Sequence, residues 1–112
     1  MEECIFCKMG RGEIKCNKVY EDDTFLAFRD INPQAPVHIL IIPKKHIARL
    51  HDTEDIPLLG ELLKIAYNLA TDEGIRDSGY RIVINTNRNA GQSVDNLHLH
   101  LLGGRIMQWP PG

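Results

Sequence analysis

Asn96-Leu97-His98-Leu99-His100-Leu101-Leu102 alternates polar and apolar side chains, which predicts a β-strand that extends from residue 96 to Gly103. Because successive side chains of a strand point to opposite faces, Asn96, His98 and His100 should share one face, and Leu97, Leu99 and Leu101 the other. The leucine face is explained as core. The two histidines indicate either a functional site or an exposed sheet face that tolerates polar residues.

A polar loop precedes this strand and contains Gly91-Gln92-Ser93. Its backbone N–H groups and the Ser93 hydroxyl could converge near His98, as donors in glycine-containing turns often do around phosphate oxygens. A neutral imidazole beside such donors supplies what phosphoryl chemistry requires, namely a nucleophile and fixed donors for the charge on phosphorus. The loop and the strand together therefore indicate a phosphoryl-transfer site.

The remaining elements predict a mainly antiparallel α+β domain. Residues 24–29, 37–42 and 80–85 read as strands, and prolines follow two of them. Between the second and third of these strands, leucines and alanines from Leu58 to Ala70 recur at helical spacing, with Pro57 suited to the first turn and Gly74 to the end. The order of strands, helix and strands favours α+β over alternating βαβ units.

Composition is that of one soluble globular domain over residues 1–112. The hydrophobic share is 43%, the charged share 25% and the net charge −2, so no overall basic field favours nucleic acid or anionic lipid. The longest apolar run, Ile39 to Ile42, is too short to cross a bilayer. The start of the chain lacks the pattern of a signal peptide, so we expect a cytoplasmic protein with no nucleic-acid or membrane partner.

Three cysteines occur, two of them as Cys4-x-x-Cys7. Without an export signal a disulfide framework is disfavoured, and metal binding or unbonded thiols are the better interpretations. No βαβ pattern frames the pair, which argues against a redox motif. Cys16 is interpreted as an ordinary thiol.

The stretch from Asn96 to Leu102 resembles the signature of the histidine triad (HIT) family, which is His-φ-His-φ-His-φ-φ with φ apolar. The resemblance extends over nearly the whole chain. It includes Cys4-Ile5-Phe6-Cys7-Lys8, Tyr20-Glu21-Asp22-Asp23, Ala27-Phe28-Arg29-Asp30-Ile31, Ala35-Pro36-Val37-His38 and Ile42-Pro43-Lys44-Lys45-His46. The segment from Gly103 to Gly112 is similar to the end of the Hint branch in particular.

The resemblance implies a homodimer with the HIT-like fold, in which each subunit has one long helix and a short N-terminal helix beside its antiparallel sheet. It also implies hydrolysis of purine nucleoside 5′-phosphoramidates, which are AMP or GMP conjugates of an amine. His98 would be the nucleophile that forms a nucleotidyl-histidine intermediate. His100 would contact the phosphate and assist the leaving group, and no cofactor would be required for catalysis.

The resemblance further assigns residues around these two histidines. His38 would support the signature histidines from the neighbouring strand, and Ser93 would join the catalytic set. The implied substrate-binding set comprises an apolar base cleft (Ile5, Phe6, Phe28, Ile31 and Leu40), the ribose carboxylate of Asp30 with its neighbour Arg29, and the polar residues Asn85, Gly91, Gln92 and Ser93. Taken alone, Ile5 and Leu40 fit ordinary core as well.

Asn96 departs from the pattern, because it stands where the family has its first signature histidine. In relatives with an N-terminal Cys-x-x-Cys, that histidine completes a structural zinc site. The resemblance therefore implies Cys4, Cys7 and His46 as three zinc ligands, with a poor, uncharged amide in fourth place. Three outcomes stay open: zinc completed by water or Asn96, weak zinc binding, or an empty site.

Three other functions compete with the phosphoramidase. A nucleotide-binding regulatory protein would bind mononucleotides with little turnover, and the intact His98, Ser93 and His100 set argues against it. Hydrolysis or transfer on dinucleoside polyphosphates is a further alternative. A catalytic zinc site built from His38, His98 and His100 is disfavoured, because Cys4 and Cys7 offer a better metal site elsewhere.

Overall fold

The computed structural model describes residues 4–112. Two helices, α1 (Ile5–Gly10) and α2 (Ile56–Asp72), accompany five strands: β1 (Lys18–Glu21), β2 (Phe25–Arg29), β3 (Val37–Pro43), β4 (Tyr80–Val83) and β5 (Leu99–Gly103). The strands form one antiparallel sheet in the order β1-β2-β3-β5-β4. The predicted α+β class, with one long helix and one short N-terminal helix, is confirmed.

Helix α2 begins and ends where its sequence signals place it. The Asp55 side chain accepts from the Leu58 N–H at the N-cap, and Pro57 occupies the first turn, where its missing N–H costs nothing. Gly74 follows the last turn with a φ of +73°, a left-handed conformation that glycine adopts without steric cost.

Both faces of the central strands are buried, because a helix covers each face. Alternate residues of β3, Ile39 and Ile41, pack with α2, and the residues between them, Leu40 and Ile42, pack with Phe6 of α1. Burial on two faces explains the continuous apolar run of this strand. His38 lies on the α1 side with Leu40, so the histidine site develops on the face opposite α2.

The strand predicted from Asn96 begins later, at Leu99. Strand β3 ends at Pro43, which has no N–H to extend the ladder. The chain before Leu99 pairs instead with Ile47: the Leu97 N–H donates to the Ile47 carbonyl, and the Ile47 N–H donates to the Asn96 side chain. His98 therefore stands just outside the ladder, although the leucines at 97, 99 and 101 all reach the α2 core as predicted.

Two further boundaries and one whole strand differ from the sequence interpretation. Strand β2 starts one residue later than predicted, at Phe25, and β4 ends at Val83, which leaves Asn85 beyond the strand. Strand β1 was not predicted, because its largely exposed Lys-Val-Tyr-Glu sequence lacks an apolar repeat. Among residues 4–112, no helix has the length and apolar character needed to cross a membrane.

Candidate active site

His98 is held in one tautomer by the backbone beside it. Its side chain is buried, and its Nδ1 lies 2.7 Å from the Asn96 carbonyl oxygen. A carbonyl only accepts hydrogen bonds, so Nδ1 carries the proton, and the neutral ring keeps a lone pair on Nε2. The edge of the Phe6 ring packs against the imidazole, with ring centroids 5.1 Å apart. His98 is thus a fixed imidazole with Nε2 available as a nucleophile.

A second chain of hydrogen bonds orients His100. The Gln34 N–H donates to Nδ1 of His38 at 3.0 Å, so the proton of neutral His38 lies on Nε2. That Nε2 is 2.9 Å from Nδ1 of His100 and 3.4 Å from a carboxylate oxygen of Asp30. His38 therefore donates to His100, and the proton of His100 lies on Nε2. The relay presents an N–H donor next to the His98 ring, with centroids 5.0 Å apart.

Burial keeps both relay histidines neutral at physiological pH. For His100, burial first and then the neighbouring His98 and His38 lower the pKa to about 4, while Asp30 opposes the shift. Burial also lowers the pKa of His38, and Asp30 again opposes this. Neutral rings are what the relay needs, since a proton on Nδ1 of His100 would displace the His38 donor.

This depressed pKa predicts a specific dependence of stability on pH. Because the pKa of His100 falls from 6.5 to about 4 on folding, the unfolded chain binds more protons between those values. The stability that neutral His100 contributes is complete when the pH is above the pKa of His100 in the unfolded chain. It is lost as the pH falls toward the pKa of His100 in the folded protein. Between pH values of about 7.5 and 5, the wild-type free energy of unfolding should fall by up to about 2 kcal/mol more than that of His100→Asn.

Urea denaturation of the two proteins at both pH values measures this difference. Other groups titrate in both proteins, so the comparison isolates His100. Equal losses of stability in wild type and variant would contradict the assignment of a depressed pKa to His100.

The apolar residues predicted to form a cleft do line one, of about 280 Å³, and His98 and His100 line it with them. Phe6, Phe28 and Leu40 are buried in its floor. Ile5 and Ile31 border it with exposed fractions of 47% and 99%, so neither is a core residue. An almost fully exposed isoleucine beside a cleft is unusual, and we interpret it as one wall of a ligand site. We call this space the apolar cleft.

Sequence reasoning missed part of this lining. Met9, Val94 and the segment from Lys15 to Asn17 also border the apolar cleft. The segment connects α1 to β1, and without a prediction of β1 nothing in its sequence indicated its position. Burial raises the pKa of the Cys16 thiol, which fits its interpretation as an ordinary cysteine.

Asp30 borders the apolar cleft next to Ile31, and one of its oxygens accepts from the Asn32 N–H at 2.8 Å. Its neighbour Arg29 also borders the cleft, as predicted. Its side chain lies on the α2 face with Phe25 and Ala27, and its guanidinium pairs with Glu73 at 2.8 Å. That pair ties β2 to the end of α2 and engages the Arg29 charge there.

The predicted phosphate loop agrees with the structure at Ser93 but not at the donors of Gly91 and Gln92. The N–H of Gly91 donates to Arg88, the N–H of Gln92 donates to Asn87, and the Gln92 amide group holds the Ala48 carbonyl. The two backbone donors close the loop on itself and the Gln92 amide ties it to the segment after β3, so in this conformation these groups are not free for a ligand. Ser93 is exposed and borders the apolar cleft, which leaves its hydroxyl as the donor of this loop at the site.

A second space lies on the other side of His100. We call it the basic groove: it measures about 250 Å³ and is lined by Gln34, His38, Arg81, Val83, Asn85, His100, Leu102, Arg105, Met107 and Pro111. Asn85, predicted for the nucleotide pocket, lies in this groove rather than in the apolar cleft. Only His100 lines both spaces. A larger groove of about 560 Å³ at the β4 edge contains none of the histidines.

Cys4, Cys7 and His46 converge as predicted. The Cys7 Sγ lies 3.1 Å and the Cys4 Sγ 3.8 Å from Nδ1 of His46. Two thiolates and an imidazole form a soft donor set that suits zinc. Asn96 does not complete it: its Oδ1 accepts from the Ile47 N–H at 3.2 Å, and its buried Nδ2 has no hydrogen-bond partner among residues 4–112 and no lone pair to give.

The chain belongs to the HIT family, since the model of the HIT domain matches residues 11–107. A HIT family hydrolase from Legionella pneumophila is similar in structure, with a TM-score of 0.96 and 55% identity over 98% of this chain and all of that one. Fold and sequence thus place this protein with the hydrolases of the family.

Two curated relatives extend the comparison. An uncharacterized HIT-like protein of Synechococcus elongatus is 55% identical, and the alignment covers 99% of this chain and 98% of that protein. The purine nucleoside phosphoramidase of Escherichia coli is 51% identical, and the alignment covers 93% of this chain and 89% of that enzyme.

Proposed function

We propose that this protein hydrolyses purine nucleoside 5′-phosphoramidates through a nucleotidyl intermediate on His98. The observation that supports this proposal most directly is the tautomer of His98. Its Nδ1–H donates to the Asn96 carbonyl, with 2.7 Å between the nitrogen and the oxygen. An imidazole fixed in this way directs a lone pair from Nε2, as a nucleophile requires. The similarity to the Escherichia coli purine nucleoside phosphoramidase supports the substrate class.

The nucleotide would occupy the apolar cleft. Its purine would lie against Phe6 and Phe28, whose rings pack edge to face with centroids 5.6 Å apart. Asp30 has one carboxylate oxygen not used by Asn32 that can accept from ribose hydroxyls. This placement would set the α-phosphate beside His98 and His100. There the Ser93 hydroxyl and the Nε2–H of His100 provide donors to its oxygens.

Hydrolysis would then proceed in two displacements. Nε2 of His98 attacks the α-phosphorus, the bond from phosphorus to the amine breaks, and the amine keeps the electron pair. The leaving nitrogen takes its proton from solvent, and the Nε2–H of neutral His100 donates a hydrogen bond at the reacting centre without giving up its own proton. Water then attacks the nucleotidyl-His98 phosphorus, and nucleoside monophosphate and free His98 result. No metal takes part in either step.

Release of amine from adenosine and guanosine 5′-phosphoramidates tests this proposal. We expect steady turnover that continues after treatment with a metal chelator. Binding of AMP or GMP without any amine release would instead assign the chain to the nucleotide-binding regulatory proteins.

We also propose a zinc ion held by Cys4, Cys7 and His46, with water as the fourth ligand. The convergence of three soft donors supports it. The ion would tie α1 to the turn after β3 and so stabilise the floor of the apolar cleft. It would have a structural role and take no part in the reaction at phosphorus.

We further propose a homodimer through the β4 edge. Strand β4 lies at the end of the sheet, and its outer edge has no strand partner within the described chain. Tyr67 of α2 and Tyr80 of β4 line one surface pocket and are 49% and 37% exposed, and such an edge is suited to pairing with a second copy. Sedimentation should give twice the mass of one chain, and Tyr80→Glu should give the monomer mass. A wild-type monomer would contradict this proposal.

A further inference from the structure

The basic groove continues the reaction path beyond His100. An in-line displacement puts the leaving group on the side of phosphorus opposite the attacking atom. His98 lines the apolar cleft and not the groove, whereas His100 lines both. A nucleotide in the cleft that is attacked by His98 therefore directs its leaving group past His100 and into the basic groove.

Strand register places a cationic side chain at this point. Arg81 of β4 pairs with Leu102 of β5, and Leu102 pairs with His38 of β3. His100 is the next residue on the same face of β5, so Arg81 lies diagonally across from it. Diagonal neighbours in a sheet have Cβ atoms about 7–8 Å apart, and an arginine side chain spans that distance.

The guanidiniums of Arg81 and Arg105 are held in position but are not neutralised. One Arg81 nitrogen donates to the Gln108 carbonyl at 3.0 Å, and Arg105 donates to the carbonyls of Gln34 at 2.8 Å and Ile106 at 3.1 Å. Neither is in an ion pair within the described residues, and no Asp or Glu lines the groove. Carbonyl contacts orient a guanidinium and leave its charge for an anion.

We propose that the basic groove selects leaving amines that carry a carboxylate, such as amino acids joined to the nucleotide through their nitrogen. This inference rests on the proposed function and adds the class of leaving group. Arg81 and Arg105 bind the carboxylate while His100 serves the nitrogen being released. Asn85 and Gln34 add neutral polar groups to the same wall.

A matched pair of substrates tests the proposal: the adenosine 5′-phosphoramidates of β-alanine and of β-alaninamide. The two leaving amines have the same length and differ in one charge. We expect kcat/KM to be about fivefold to tenfold higher for the carboxylate at low ionic strength, with a smaller ratio at high salt. Arg81→Gln should reduce the ratio to about one, and Arg81→Lys should retain part of it.

Arg76→Gln is the matched control, because Arg76 is exposed and lies outside the basic groove. Its ratio should equal that of the wild type. Comparing ratios for the same two substrates removes any difference in their intrinsic reactivity. Arg105 is the less suitable probe, since it holds the Gln34 carbonyl and Gln34 orients His38.

The outcomes separate this inference from the proposed function. Turnover of both amine conjugates at equal rates would overturn the carboxylate preference and leave the phosphoramidase intact. An absence of turnover with every phosphoramidate would overturn the function itself. Faster hydrolysis of a diadenosine polyphosphate than of either conjugate would assign the groove to a phosphate chain and overturn the amino-acid leaving group.

Discussion

Replacing His98 with alanine is expected to lower kcat/KM for an adenosine 5′-phosphoramidate by a factor on the order of 10⁴. The variant loses the Nε2 lone pair that the Asn96 carbonyl directs through Nδ1. It retains Ser93, His100 and the apolar cleft, so AMP should still bind with an affinity close to that of the wild type. Amine release measures the first quantity and calorimetric titration the second.

His51→Ala provides the matched control for this experiment. His51 is exposed in the short turn of 3₁₀-helix before α2 and does not line the apolar cleft or the basic groove. Its removal should leave turnover unchanged. Normal turnover by a folded His98→Ala protein would show that another group attacks phosphorus, and the proposed mechanism would fail.

Replacing Asn96 with histidine should tighten zinc binding by a factor on the order of 100 or more. The wild-type chain offers three soft donors, and the amide in fourth place is turned to the Ile47 N–H with its Nδ2 unsatisfied. A histidine there removes the unsatisfied buried group and supplies a nitrogen ligand to close the tetrahedron. Competition with a chromophoric chelator measures the affinity, and melting with and without chelator measures the linked stability.

Asn96→Leu separates the two effects of Asn96→His, which are the loss of the unsatisfied amide and the gain of a zinc ligand. It removes the unsatisfied amide as well but adds no ligand, so its zinc affinity should match that of the wild type. Cys4→Ser should weaken zinc binding in both backgrounds. Identical affinities for the histidine and leucine variants would place the fourth ligand elsewhere and contradict the proposed metal geometry.

The elements with strong periodic patterns could be predicted from the sequence. Helix α2 has a cap at Asp55, a proline in its first turn and a glycine after its end, and each local signal agrees with the packing of its leucines. Leu99 and Leu101 of β5 likewise reach the α2 core. Here the hydrophobic pattern alone determines which face is buried.

Other features depended on contacts distant in sequence. The late start of β5 follows from the pairing of Leu97 with Ile47, fifty residues earlier in the chain. The engagement of Arg29 by Glu73 and of Gln92 by Ala48 likewise joins distant segments. Alternation showed that His98 and His100 lie together, but the tautomer of each ring depends on Asn96, Gln34 and His38 at positions that only the fold reveals.

The basic groove illustrates the same limit. Arg81 and Arg105 are unremarkable in sequence, and nothing in their local pattern distinguishes them from solvated surface arginines. They become candidates because β4 pairs with β5 and sets Arg81 diagonally across from His100. A residue whose role arises from strand register is visible only after the sheet order is known.

Trapping the nucleotidyl enzyme tests the central claim most directly. A rapid-quench reaction with an adenosine 5′-phosphoramidate, followed by intact-mass and peptide analysis at neutral to alkaline pH, reports whether a covalent species forms and where. We predict a transient adduct with the mass of one AMP less water, located on His98 and absent from His98→Ala. Amine release at the full wild-type rate with no adduct on His98 at any quench time, or an adduct on another residue, would contradict the account.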